Sequence, residues 1–219
     1  MKADQTPSWK DLSYEQKKQY FLDYYLIKVL IGIAVLIFAS YTACSILRPK
    51  PSYRLTIGIY DAALSDDTKE EMVRTMQKEL HTAEPIGIDD AFSSLNNDDL
   101  MRIVSMSGNG KLDGIIAERS VFEWLAGYGY FKDLTAACDT AFLNQFQDEL
   151  VVCRGLAVGE GGLLQENAEG SGDPYTAGVR VTDTKLAEWL PELKEPVFGI
   201  IAESEAVDEL ETILVGLKQ

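Results

Sequence analysis

The sequence predicts an α/β fold, a single three-layer domain with a mostly parallel sheet, preceded by one transmembrane helix. Two patterns carry this expectation. From Leu55 onward, short apolar runs of strand length alternate with amphipathic stretches of helical period, the signature of a sheet covered by helices. Ahead of them, Val29 to Leu47 contains no charged residue and has about the ~20-residue length needed to cross ~30 Å of hydrocarbon.

The elements follow in order. Leu55-Thr56-Ile57-Gly58-Ile59-Tyr60 reads as the first strand. Asp67-x-x-Glu70 opens a helix that places Met72, Val73, Met76 and Leu80 on one face. Pro85 to Asp89 is a short second strand. Leu100, Ile103 and Val104 mark a second helix, stopped at Gly108-Asn109-Gly110. Leu112 to Ala117 is the next strand, and Ser120-Val121-Phe122-Glu123 reads as a capping box that starts a helix carrying Phe122, Leu125 and Ala126. Asp139 caps a further helix with Phe142, Leu143, Phe146 and Leu150 on one face. Gly155 to Gly178, rich in Gly and acidic residues, reads as a hairpin or loose loop. Gly178 to Val181 and Val197 to Ala202 read as strands. Ala206 to Leu217 closes the chain as a helix with Val207, Leu210, Ile213, Leu214 and Leu217 on one face.

The N-terminal region divides at its charges and prolines. Residues 1–23 form a tail in which Ser13-Tyr14-Glu15-Gln16 fits a capping box, and Trp9, Tyr14, Tyr20, Phe21, Tyr24 and Tyr25 suit an interfacial helix. Residues 24–48 are read as the transmembrane helix, 49–53 as a linker holding Pro49 and Pro51, and 54–219 as the α/β domain. Lys2, Lys10, Lys17, Lys18 and Lys28 precede the span, so the positive-inside rule predicts an uncleaved signal-anchor with a cytoplasmic N-terminus and an extracytoplasmic domain at the cell membrane. Tyr41-Thr42-Ala43-Cys44 also resembles, in part, the lipobox of bacterial lipoproteins, which offers lipidation of Cys44 as the alternative anchor.

Charge bounds the partners. The chain carries a net charge of −15. Its first fifty residues hold 7 basic and 4 acidic side chains, which leaves 13 basic against 31 acidic in the remainder. Nucleic acid is therefore excluded as a partner, because phosphate binding needs clustered Lys and Arg. The expected partners are the lipid bilayer through the apolar helix, another membrane or extracytoplasmic protein, and a small solute as a possible ligand.

Catalytic chemistry is thin. His81 is the only histidine and falls at a predicted helix end, where it meets the helix dipole. A Ser-His-Asp triad would have to use it, and no Gly-x-Ser-x-Gly elbow is present. Gly159-Glu160-Gly161-Gly162 lacks the Lys-Ser/Thr of a phosphate loop. Asp89-Asp90 and Asn97-Asp98-Asp99 do not match a calcium loop and read as caps and turns. Cys44, Cys138 and Cys153 lack zinc-ligand spacing. Cys138 and Cys153 are read either as a pair or as two buried small hydrophobes. No cofactor, metal or catalytic residue is expected.

In an open parallel sheet, ligands sit beyond the carboxyl ends of the strands. Asp61, Glu118, Arg119 and Ser120 fall there and are the candidate ligand- or partner-binding residues. Asp61 and Glu118 are also the pair that a carboxylate-based hydrolase would use, if both lined one pocket.

The stretch Leu112-Asp113-Gly114-Ile115-Ile116-Ala117-Glu118-Arg119-Ser120-Val121-Phe122, followed by Gly129-Tyr130-Phe131-Lys132-Asp133-Leu134, resembles the first lobe of extracellular solute-binding proteins of ABC importers, the type 2 periplasmic binding proteins. Pro174-Tyr175, then Gly199-Ile200-Ile201-Ala202 and a closing amphipathic helix, is similar to that family's return to its first lobe. The resemblance implies a membrane-anchored, one-lobed relative. Only about forty residues separate Leu134 from Tyr175, too few for a second lobe of ordinary domain size. It therefore implies a non-enzymatic binding or interaction module whose clamshell cleft is absent, with an accessory solute receptor or sensor as the alternative.

Overall fold

The computed structural model describes residues 13–15, 17–19, 26–47, 53–96, 98–157 and 169–218. The chain divides into two compact units, Met1–Pro51 and Ser52–Gln219.

In the first unit, Lys17 donates its backbone N–H to the Ser13 carbonyl at 2.9 Å, one turn of helix on the expected capping segment. Trp9, Tyr20, Phe21, Tyr24 and Tyr25 lie outside the described residues. Helix α1 runs Leu26–Leu47. The transmembrane expectation is corrected here: among the described residues, no helix is long and apolar enough to cross a membrane. The signal-anchor, the single-pass bilayer contact and the extracytoplasmic placement at a cell membrane rested on that span and fall with it.

The second unit is built on one six-stranded sheet in the order β2-β1-β3-β6-β5-β4. Its strands are β1 Leu55–Tyr60, β2 Ile86–Phe92, β3 Gly114–Glu118, β4 Leu150–Arg154, β5 Pro174–Arg180 and β6 Pro196–Ile200. β1 pairs in parallel with β2 and β3, whereas β3–β6, β6–β5 and β5–β4 are antiparallel. The expectation of a mostly parallel sheet is thus corrected: the sheet is mixed, and most of its pairings are antiparallel. The reason lies in the connections. β1, β2 and β3 are joined through α2 (Asp66–Glu79) and α3 (Asp98–Ser107), crossovers long enough to bring the chain back parallel. β4 to β5 is a hairpin. β5 leads to its neighbour β6 without crossing the sheet, since the Val181 N–H donates to the Pro196 carbonyl at 2.9 Å and both ends of the connection lie at the same end of the sheet.

Strand alternation sends side chains to two faces, each with its own core. Leu55, Ile57, Ile59, Ile116, Phe198 and Ile200 pack under α2 and the last helix, α8 (Val207–Leu217), through Met72, Met76, Leu210, Ile213, Leu214 and Leu217. Leu134 of α5 (Leu134–Ala137), Phe142 and Phe146, from and after α6 (Thr140–Gln145), and Leu186 of α7 (Lys185–Trp189) close the same side. On the other face Tyr60, Phe92, Ile115, Ala117 and Val197 meet Ile103 of α3 and Phe122, Leu125 and Ala126 of α4 (Arg119–Gly127). Cys153 belongs to this second core and Cys138 packs against the first, so the sheet separates the two thiols and both are free.

Three local expectations shift. α4 begins at Arg119 with Glu118 as its N-cap, so Ser120 lies inside the helix, and Glu123 binds Arg119 at 2.8 Å instead of closing a capping box. Leu150 does not extend the Phe142–Phe146 face but opens β4. Asp89 and Asp90 lie in strand β2, not in caps or turns.

Candidate functional site

The parallel strands β1, β2 and β3 end together, and their following residues form one rim. Asp61 comes directly after β1 with φ 53°, a left-handed conformation that Asp tolerates better than most side chains. Its N–H donates to the Phe92 carbonyl at 3.0 Å, which ties it to the end of β2. Its Oδ1 accepts the Ser94 N–H at 2.9 Å and the Ser93 hydroxyl at 3.2 Å. The Ser93 N–H in turn donates to Oδ2 of Asp99, a buried carboxylate at the start of α3, at 2.8 Å. The 93–94 turn is thus clamped between two carboxylates.

From the third strand end, Ser120 and Val121 of α4 face this turn. Ser94, Ser120, Val121 and Trp124 line an open groove of about 230 Å³. Trp124 is 40% exposed and meets Tyr128 edge-on, with ring centroids 5.5 Å apart; Tyr128 stacks on Tyr130 at 5.9 Å. A second groove of about 310 Å³ runs between α2 and β2, lined by Lys69, Glu70, Val73, Arg74, Gln77 and Ile88. It is the larger, but it lies along a helix flank, and its Lys69 is already held by Asp90 at 2.7 Å. The smaller groove sits where open sheets place ligands.

Of the four expected residues only Ser120 lines this groove, and Asp61 stands behind its Ser94 wall. The other two do not line it. Glu118 is half-buried as the α4 N-cap. Arg119 donates from Nε to Glu123 at 2.8 Å, lies 3.9 Å from Glu195, and gives its backbone N–H to the Glu195 carbonyl at 3.1 Å. The Glu123 hydrogen bond, then its charge, make Arg119 hold its proton more firmly than usual. Asp61 and Glu118 do not share the groove as an acid pair. Sequence reasoning missed Ser93, Ser94 and Trp124. The usable signal was Trp124, an aromatic that falls off the buried Phe122/Leu125/Ala126 stripe of its own helix.

The remaining chemical candidates are structural. His81 follows α2 with φ 48° and donates its N–H to the Lys78 carbonyl at 3.2 Å, ending that helix. No group of three or more His, Cys, Asp or Glu among the described residues is placed to hold a metal ion. Gly159 to Gly162 and the side chain of Cys44 lie outside the described residues.

Compared with family models, curated proteins and solved structures, the chain matches none.

Proposed function

We propose that this chain is a non-enzymatic binding module whose partner sits in the groove formed by Ser94, Ser120, Val121 and Trp124. The observation that carries the reading is the convergence of three parallel strand ends on an open surface that presents two hydroxyls and a partly exposed tryptophan. Such a surface offers contact area and hydrogen bonds, the ingredients of recognition. The nearest strong base, Arg119, is engaged by two glutamates. β6 re-entering beside β3, with an amphipathic helix behind it, supports kinship with a solute-binding first lobe that has lost its second.

The groove favours a protein partner over a captured solute. Pockets that engulf small molecules usually exceed about 300 Å³ and bury most of the ligand, whereas this one is smaller and open. Thermal unfolding of the full chain against panels of sugars, amino acids and peptides tests the reading, since a ligand at about 100 times its Kd adds ~2.7 kcal/mol of stability. A shift produced by peptides and abolished by Trp124→Ala is expected. Turnover of a substrate that is lost on mutating Arg119 or His81 would overturn it.

A further inference from the structure

Resting on that reading, we infer that the groove is a receptor for a basic side chain, lysine or arginine, presented by a partner polypeptide. Its size sets the first limit. About 230 Å³ admits one long side chain with some water, but not a folded element. Its walls set the second. Val121 and the indole of Trp124 suit an alkyl stem, while the indole face also attracts a cation. Leu95, 95% exposed beside Ser94, extends the apolar rim.

Charge decides the end group. Asp61 spends one carboxylate oxygen, Oδ1, on the Ser93–Ser94 turn, and Oδ2 has no partner among the described residues. Among the described residues, the two bases at the ends of β2 and β3 are already paired: Arg119 with Glu123 and Glu195, and Arg102, which lies over the Phe92 ring, with Asp89 and Asp99. The rim is therefore net acidic, in a chain of net charge −15. A carboxylate or phosphate would be repelled, and a neutral donor could hydrogen-bond to Asp61 without charge attraction; an ammonium or guanidinium on a stem laid along Val121 and Trp124 is attracted by the indole and, past the Ser94 wall, by the Asp61 carboxylate.

A fluorescently labelled peptide of alternating glycine and lysine, titrated with the full chain and read by anisotropy, tests this. Nε-acetylation of its lysines should weaken binding at least tenfold. Asp61→Asn keeps an acceptor for Ser94 and a residue tolerant of the left-handed backbone, and removes only the charge. It should weaken binding about fivefold. Trp124→Ala should weaken it by a similar factor, and Trp124→Phe by less. Glu192→Gln removes an equal charge from an exposed turn that does not line the groove and should leave binding unchanged.

The outcomes separate. If Glu192→Gln weakens binding as much as Asp61→Asn, attraction is diffuse and the receptor is refuted. If free butylamine competes as well as the peptide, the ligand is a small amine and the polypeptide assignment is refuted. If acetylated and unmodified peptides bind alike and both need Trp124, the cation assignment is wrong while the groove stands. If the unmodified peptide binds regardless of Trp124, the cation assignment and the groove fail together. If it does not bind at all, the cation assignment fails, and the ligand panel alone then judges the groove.

Discussion

Asp89 and Asp90, neighbours on edge strand β2, are held from different helices: Arg102 of α3 reaches Asp89 at 2.5 Å, and Lys69 of α2 reaches Asp90 at 2.7 Å. Strand alternation aims adjacent side chains at opposite faces, so one pair of acids anchors both helix layers to the same edge. Arg102 also lies 4.4 Å over the Phe92 ring. Charged contacts along an edge discourage pairing with another chain, which protects the strand as well as fixing it.

The Asp90 pair makes stability depend on acid. Burial alone pushes the Asp90 pKa up, but hydrogen bonds from the Lys69 ammonium and the Leu64 N–H hold it below the usual carboxylate value. A depressed folded pKa stabilises the fold above the unfolded pKa, and that contribution is lost as pH falls through the folded value. Asp90→Asn should cost about 1 kcal/mol at neutral pH, because Lys69 keeps part of its surface in water. In urea titrations the gap to wild type should close below about pH 4. A gap unchanged at acid pH would show that the charge is not the source.

Asp113 ties β1 to the loop after β6. It is buried, accepts the Thr56 N–H at 2.8 Å and the Ser204 hydroxyl at 2.8 Å, and its backbone carbonyl accepts the Ile201 N–H at 2.8 Å. Asp113→Ala leaves two donors without their acceptor and should cost about 2 kcal/mol or more, since each buried orphan costs roughly 1–3. Equilibrium denaturation measures it, and a loss under 1 kcal/mol, roughly the net worth of one ordinary hydrogen bond, would count against the clamp.

Tyr60 predicts the opposite sign. Its ring is buried and stacks on Phe92 at 5.3 Å, yet its hydroxyl has no hydrogen-bond partner among the described residues. Burial, then the nearby Asp99 charge, push its ionisation well above the ordinary tyrosine value. Tyr60→Phe removes an unsatisfied polar group and keeps the packing, so stability should stay level or rise by about 1 kcal/mol. A loss above that size would reveal a partner for the hydroxyl.

Gly178 and Gly199 let Phe122 lie against the sheet. A Cβ at Gly199 would come within 2.6 Å of the Phe122 ring, and one at Gly178 within 2.5 Å, with the Phe198 carbonyl at 2.6 Å. Phe122 cannot retreat, because it stacks on Phe131 with centroids 4.3 Å apart. Gly178→Ala should therefore destabilise by about 1–3 kcal/mol through overpacking. The exposed Gly110 is not a fair control, since its φ of 60° strains any other residue.

Cys138 and Cys153 should be inert in the folded chain. Burial first, then nearby acids, raise Cys138 to about 12 and Cys153 to about 11, so little thiolate exists at mildly alkaline pH. Iodoacetamide followed by peptide mass analysis should leave both unmodified until denaturant is added. Prompt labelling of either under native conditions would show local opening.

How much could be read beforehand depended on the range of the interaction. The sequence alone determined the parts set by local periodicity: β1 at Leu55–Tyr60, and the α8 stripe of Leu210, Ile213, Leu214 and Leu217. Asp61 follows β1 directly, where the apolar run stops, but Ser120, read as a strand end from the same cue, lies inside α4. Tertiary structure decided the rest. Leu150 continued the spacing of Phe142 and Phe146, but its partner is Val179 across a strand pair, a contact no local pattern encodes. The antiparallel entry of β6 depends on Gly114 meeting Ile200, residues far apart in the chain. Ser93, Ser94 and Trp124 became a site only when the ends of β2 and β3 were brought together. Side-chain periodicity tells which face of an element is buried, but the choice of neighbour is made by packing over the whole sheet.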